Sequence, residues 1–143
     1  MSVSVKDVQR ALATKIGALS GYREVRQLPE LFGRTQNTLA HLGFSVEVSS
    51  SQQANERQRR AVGLYMETLV RIKIAYRLRP HDLILDYGNA LDKEQEVIQV
   101  CMNPNFAKGI EIRFERATRR TPDSQEYLIS EIELSALHTI QLT

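Results

Sequence analysis

Residues 62–78, VGLYMETLVRIKIAYRL, carry the pattern from which the fold follows. Their apolar side chains recur at every second position, and a period of two places them on one face of a β-strand. The run is far longer than the usual strand of about 5–6 residues. We therefore predict that its outer part projects as an arm whose apolar face is covered by another subunit. The predicted interface residues are Met66, Val70 and Ile72.

A second alternating run lies upstream and completes a hairpin. Phe44, Val46 and Val48 occupy alternate positions and predict a strand. The polar segment 49–60 joins the two runs, so it is predicted to form the mobile tip of the hairpin. The whole hairpin arm is predicted to span about residues 44–79.

Two helices are predicted from apolar residues at helical spacing. The first covers residues 5–19, with Ser4 as its N-cap and Asp7 at the position of a capping box. The second covers residues 83–102, with Asp82 as its N-cap. Both should pack an apolar stripe on the sheet. In the second helix the predicted stripe consists of Leu83, Tyr87, Ala90, Leu91, Val97, Ile98 and Cys101.

The remaining segments complete an α+β pattern. A weak strand is predicted within residues 22–28, a helical turn at 35–42, and two further strands at 110–115 and 128–136 joined by a turn at 121–124. This order predicts an α+β fold: an antiparallel sheet with a long projecting hairpin and two helices packed on one face.

Length and composition fit one domain over residues 1–143. The net charge of +2 is too small to indicate nucleic-acid binding by itself. Fourteen arginines accompany only five lysines. This bias either suits bidentate contacts at interfaces and channels or reflects codon usage. No apolar run approaches the length of a membrane span, and the single cysteine, Cys101, fits a reducing compartment.

The residues with chemical potential are scattered. The sequence lacks the common phosphate-binding, dinucleotide-binding, serine-hydrolase, zinc-protease and Cys-x-x-Cys motifs. His138 is predicted to be a packed or interface residue, and Cys101 to be inert core. The helix carboxylates, which could be imagined as catalytic pairs, are assigned to a solvated face; they are Asp86, Asp92, Glu94 and Glu96. We therefore predict no catalytic residue, no metal site and no cofactor.

Arginines form two clusters along the chain. The first lies at the predicted hairpin tip and comprises Arg57, Arg59 and Arg60. The second follows the strand at 110–115 and includes Arg116, Arg119 and Arg120. They could be solvated loop charges, or they could face a neighbouring subunit or a phosphate backbone.

The order of elements resembles that of the tail terminator (tail completion) proteins of long-tailed bacteriophages. The resemblance rests on the helix at 5–19, the strand at 69–76, the helix at 82–101 and the late strands at 109–114 and 127–134. It implies a structural virion protein that forms a hexameric ring, caps the tail tube, ends its polymerisation and joins the tail to the head connector. The chain would occur in the tail or neck of the virion, and in the host cytoplasm during assembly.

The resemblance also implies partners and surfaces. The partners would be copies of the chain itself, the tail tube protein, the head-tail connector protein and genomic DNA that passes non-specifically through the lumen, with no membrane involved. Glu94 and Glu96 are then predicted for the face that meets the tube or connector, and both arginine clusters for the lumen or an interface. The alternatives are another neck or connector protein and a small nucleic-acid-binding module. An enzyme is the least favoured reading.

Overall fold

The computed structural model describes residues 2–25, 41–54, 63–103, 107–121 and 126–142. Two helices and five strands occur in this part of the chain, and they confirm the predicted α+β class. In chain order they are α1 (Val5–Gly17), β1 (Arg23–Glu24), β2 (Gly43–Gln53), β3 (Gly63–Arg77), α2 (Leu83–Cys101), β4 (Glu111–Arg120) and β5 (Tyr127–Gln141), with a short 3₁₀ turn at Pro80–Asp82 before α2.

The strands form one sheet in the order β1-β2-β3-β5-β4. The four long strands pair antiparallel, as predicted. β1 pairs parallel with β2, with Arg23 beside Gly43, so the prediction of a purely antiparallel sheet is wrong at this edge. Parallel neighbours need a crossover of about a dozen or more residues, and the chain between β1 and β2 is long enough to supply one.

The outer end of β3 lies between two strands. β2 pairs with β3 as far as Gln53 opposite Met66, and β5 pairs with it as far as Gln141 opposite Gly63. β2 also continues beyond the predicted strand end, because an irregularity between Val48 and Ser50 absorbs one residue and the pairing then resumes. The prediction that the mobile hairpin tip begins at residue 49 is therefore wrong, because residues 49–53 belong to β2. The rest of the predicted tip, including Arg57, Arg59 and Arg60, lies outside the described residues, as does most of the predicted turn at 35–42.

Both helices pack on one face of the sheet, as predicted. The capping box at the start of α1 is confirmed, because Ser4 and Asp7 exchange hydrogen bonds between side chain and backbone. At α2, Asp82 occupies the N-cap position without a side-chain cap, and its carboxylate lies 3.6 Å from Arg79. Neither helix is long and apolar enough, within the described residues, to cross a membrane.

Two of the three predicted interface residues lie in the core, so that part of the predicted interface is wrong. Val70 and Ile72 are fully buried in the single large cluster between the sheet and the helices. The chain covers them itself, so they cannot contact a neighbouring subunit. Met66 stands further out and is half-buried, opposite His138 on β5. An interface role for Met66 stays a prediction.

Candidate assembly surface

The sheet face opposite the helices carries charges whose sign alternates from strand to strand. Glu47 on β2 lies 3.3 Å from Lys73 on β3. Arg71 on β3 lies 3.5 Å from Glu133 on β5, and Arg116 on β4 contacts the same carboxylate. The Arg116 hydrogen bond holds the pKa of Glu133 below its usual value against the opposing effect of burial. These cross-strand pairs neutralise one another within the subunit.

Arg116 and Arg119 were predicted to face DNA or a neighbour together, but the structure separates them. Arg116 is engaged with Glu133 on the charged face, whereas Arg119 reaches α2 on the helical face. The Nε of Arg119 donates to the carboxylate of Glu94 at 3.0 Å. A joint DNA-facing patch of these two residues is therefore wrong, because each is matched by a buried carboxylate. Arg120 is exposed at the end of β4.

The predicted contact face on α2 is also altered. Glu94 is buried and bonded to Arg119, so its assignment to an exposed surface is wrong. Glu96 is partly exposed, and its carboxylate lies 3.7 Å from Lys93 of the same helix. Its role at a tube or connector face stays a prediction.

An exposed apolar cluster lies at the start of α2. We call Leu83, Ile84, Leu85 and Tyr87 the α2 apolar cluster. Their exposed fractions are 50%, 92%, 57% and 48%. Spacing assigned Leu83 and Tyr87 to the packed stripe, yet the residues α2 buries are Asp86, Ala90, Glu94, Val97 and Cys101. Three consecutive apolar residues were the available signal, since successive residues on a helix point about 100° apart and cannot all face the core.

A second open feature is β4, which pairs with β5 and is the last strand of the described sheet. Eight of its ten residues are exposed, including Phe114, an apolar side chain at 43% exposure. A strand with one side unpaired presents backbone donors and acceptors to another chain. Sequence alone predicted this strand but could not place it at an edge.

A cleft of about 310 Å³ lies at the start of α2 and is lined by His41, Tyr76, Arg77, Arg79, Asp86 and Asn89. Its charges are already engaged. Arg79 donates to Asp86 from its backbone N–H at 2.7 Å and from two guanidinium nitrogens at 2.9 and 3.0 Å. His41 Nδ1 accepts the Arg77 N–H, and burial lowers the pKa of His41. These hydrogen bonds hold the connection between β3 and α2 in place.

Two other groups with chemical potential are also used structurally. His138, predicted as a packed or interface residue, is buried and contacts the Val3 carbonyl and the Thr68 hydroxyl at 2.7 Å each. Burial raises the pKa of Cys101 to about 12, so the thiol stays protonated at neutral pH. Among the residues that the structure describes, no three His, Cys, Asp or Glu side chains gather as metal ligands.

The sequence matches no protein-family model, and it matches no curated protein.

Proposed function

We propose that this chain is a structural assembly protein of a long-tailed phage: a tail terminator that forms a hexameric ring, caps the tail tube and joins it to the head connector. The proposal starts from the resemblance in element order. The observation that carries it furthest is the α2 apolar cluster, in which Ile84 is almost fully exposed. Soluble monomers rarely expose contiguous apolar patches of this kind, and such patches mark contacts with other proteins.

In a ring, the neighbouring subunit can cover the α2 apolar cluster. In a ring, one surface of each subunit contacts a different surface of the next, and the sixfold rotation closes the assembly. The α2 apolar cluster is the surface we assign to the neighbouring subunit. Termination then requires that one ring face accepts the tube while the other rejects a further tube ring.

The charge pairing supports an assembly role over a nucleic-acid-binding module. Arg116 and Arg119 each have a carboxylate partner inside the subunit, so their charge is not available for tight phosphate binding. Weak and non-specific attraction, which a DNA lumen needs, is compatible with these pairs.

The test uses the purified chain and polymerising tail-tube subunits. Light scattering should give a mass of six 16.3 kDa chains, or of twelve where two rings associate, and substoichiometric protein should halt tube growth with one terminal density per capped end in electron micrographs. A monomer or a dimer at all concentrations would overturn the ring. Protein spread along the tube wall would overturn the terminator role. Rings that bind purified connector but not tube ends would also overturn it, and would indicate the neck-protein alternative.

A further inference from the structure

The open edge of β4 has a sequence that is complementary to itself. Read from Glu111 to Arg120 it is EIRFERATRR, with an irregularity in its pairing to β5 between Phe114 and Arg116. Within the described part of the chain, no strand lies on its outer side. The question is which strand could pair there, and in which register.

The backbone geometry restricts the register. The Ala54 N–H donates to the Tyr65 carbonyl, so the backbone groups of Tyr65 face β2 and those of its β5 neighbour Thr139 face away from β3. On that side of β5, which is the side that β4 occupies, the Thr139 carbonyl accepts the Val3 N–H at 2.7 Å. Alternation along β5 then directs Leu137 and Ser135 towards β4, where they meet Glu111 and Arg113. The residues between them, Ile112 and Phe114, consequently direct their backbone groups to the open edge. The irregularity between Phe114 and Arg116 is a bulge that shifts this alternation by one residue. In the second half of β4, Ala117 and Arg119 therefore direct their backbone groups to the open edge.

We propose that β4 pairs antiparallel with β4 of a second copy of this chain, around a two-fold axis at the bulge. Phe114 then lies opposite the partner's Ala117, and Ile112 lies opposite the partner's Arg119. In this register all four outward-facing residues meet outward-facing residues. The two sheets join into one, and the exposed Phe114 is covered.

The side chains on the charged face match in the same register. Glu111 lies opposite the partner's Arg120, and this pair occurs twice because of the two-fold axis. Arg116, which is already bonded to Glu133 of its own subunit, lies opposite the partner's Glu115. Opposite charges directly across an antiparallel pair stabilise it, and like charges destabilise it.

Other registers fail. A shift of one residue turns the apolar face of one strand to the charged face of the other. A shift of two residues in either direction places Arg113 opposite the partner's Arg116 or the partner's Arg120. In the proposed register, Arg113 instead lies opposite the partner's Thr118. The self-complementarity is therefore specific to one alignment.

This contact goes beyond the proposed function and does not depend on it. Neighbours in a sixfold ring are not related by a two-fold axis, so β4 pairing uses a surface different from the ring contact. Without a ring it gives a dimer; with a ring it joins two rings.

Charge reversal tests the contact. Glu111→Arg alone and Arg120→Glu alone each place like charges at both symmetric positions, so each should weaken self-association about tenfold or more in sedimentation experiments. An equimolar mixture of the two variants should restore it, because both pairs are opposite in the mixed dimer. Asp92→Arg, at an exposed position on α2, is the control and should change nothing. Variants without rescue on mixing would overturn the proposal.

Cross-linking tests the register directly. Arg113→Cys mixed with Thr118→Cys should form a disulfide between the two variants under mild oxidation, and neither variant should do so alone. Native Cys101 does not compete, because it is buried. Rings without this cross-link overturn the β4 contact and leave the proposed function standing. Cross-linked dimers without rings support the contact and overturn the ring.

Discussion

Two buried carboxylates of α2 help to determine which face of this helix packs on the sheet. Asp86 and Glu94 point inward, where a carboxylate is unfavourable unless it is paired. Arg79 and Arg119 supply the pairs from before α2 and from β4. Sequence spacing assigned both acids to a solvated face, because periodicity cannot show that an arginine distant in sequence will reach a buried carboxylate. This is why the candidate contact residue Glu94 was misplaced, whereas Cys101 was correctly assigned to the interior.

The Arg119–Glu94 pair should contribute measurably to stability. Arg119→Met leaves a carboxylate of 4% exposure without its bidentate partner. We expect a loss of about 2 kcal/mol in the free energy of unfolding, less than the roughly 3–5 kcal/mol for a fully buried pair, because Arg119 is partly solvated. Urea titration would measure it. Adding Glu94→Gln should recover part of the loss, and Arg113→Met, at an exposed position of β4, is the control. Equal stability of all variants would contradict this role.

At the scale of elements, the sequence predicted where helices and strands occur better than how they pack. The capping box and the period of two located α1 and β3 to within two residues. The face that α2 buries is rotated from the predicted apolar stripe, because it includes the carboxylates Asp86 and Glu94, which the prediction had placed in solvent. The parallel pairing of β1 depends on a long crossover, and the edge position of β4 depends on the whole sheet. The residues of β1 and β4 themselves carry no sequence pattern that indicates either feature.

The link between β3 and α2 should be sensitive to acid. Hydrogen bonds from Arg79 hold the pKa of Asp86 below its usual value. Stabilisation from a depressed carboxyl pKa is complete above the unfolded pKa of about 3.9 and is lost as the pH falls through the folded pKa. The difference in unfolding free energy between the wild type and Asp86→Asn should therefore be largest near neutral pH and shrink below about pH 4. Asp92→Asn, on the exposed side of α2, should show no such trend. A difference that does not change with pH would contradict the assignment.

At the scale of the whole molecule, the two faces of the sheet are satisfied within the subunit in different ways. The helices cover one face, and cross-strand ion pairs neutralise the other. Within the described ranges, exposed large apolar side chains are concentrated at the start of α2, and most residues of β4 are exposed. An arm interface at Val70 and Ile72 is excluded by their burial, so the proposed assembly would use these other surfaces.

The α2 apolar cluster should therefore control assembly without controlling folding. Ile84 is 92% exposed, so Ile84→Lys removes almost no internal packing, and the free energy of unfolding should change by no more than about 0.5 kcal/mol. In a subunit interface the same change places a charge in an apolar contact, which binding does not tolerate unless the charge is paired. Light scattering should then show a smaller assembly, while circular dichroism remains that of the wild type. Gln95→Lys adds the same charge at an exposed position further along α2 and should leave the mass unchanged. If Ile84→Lys retains the full assembled mass, the cluster lies outside the ring contact, and the ring would have to close through another surface, such as the outer end of β3 around Met66.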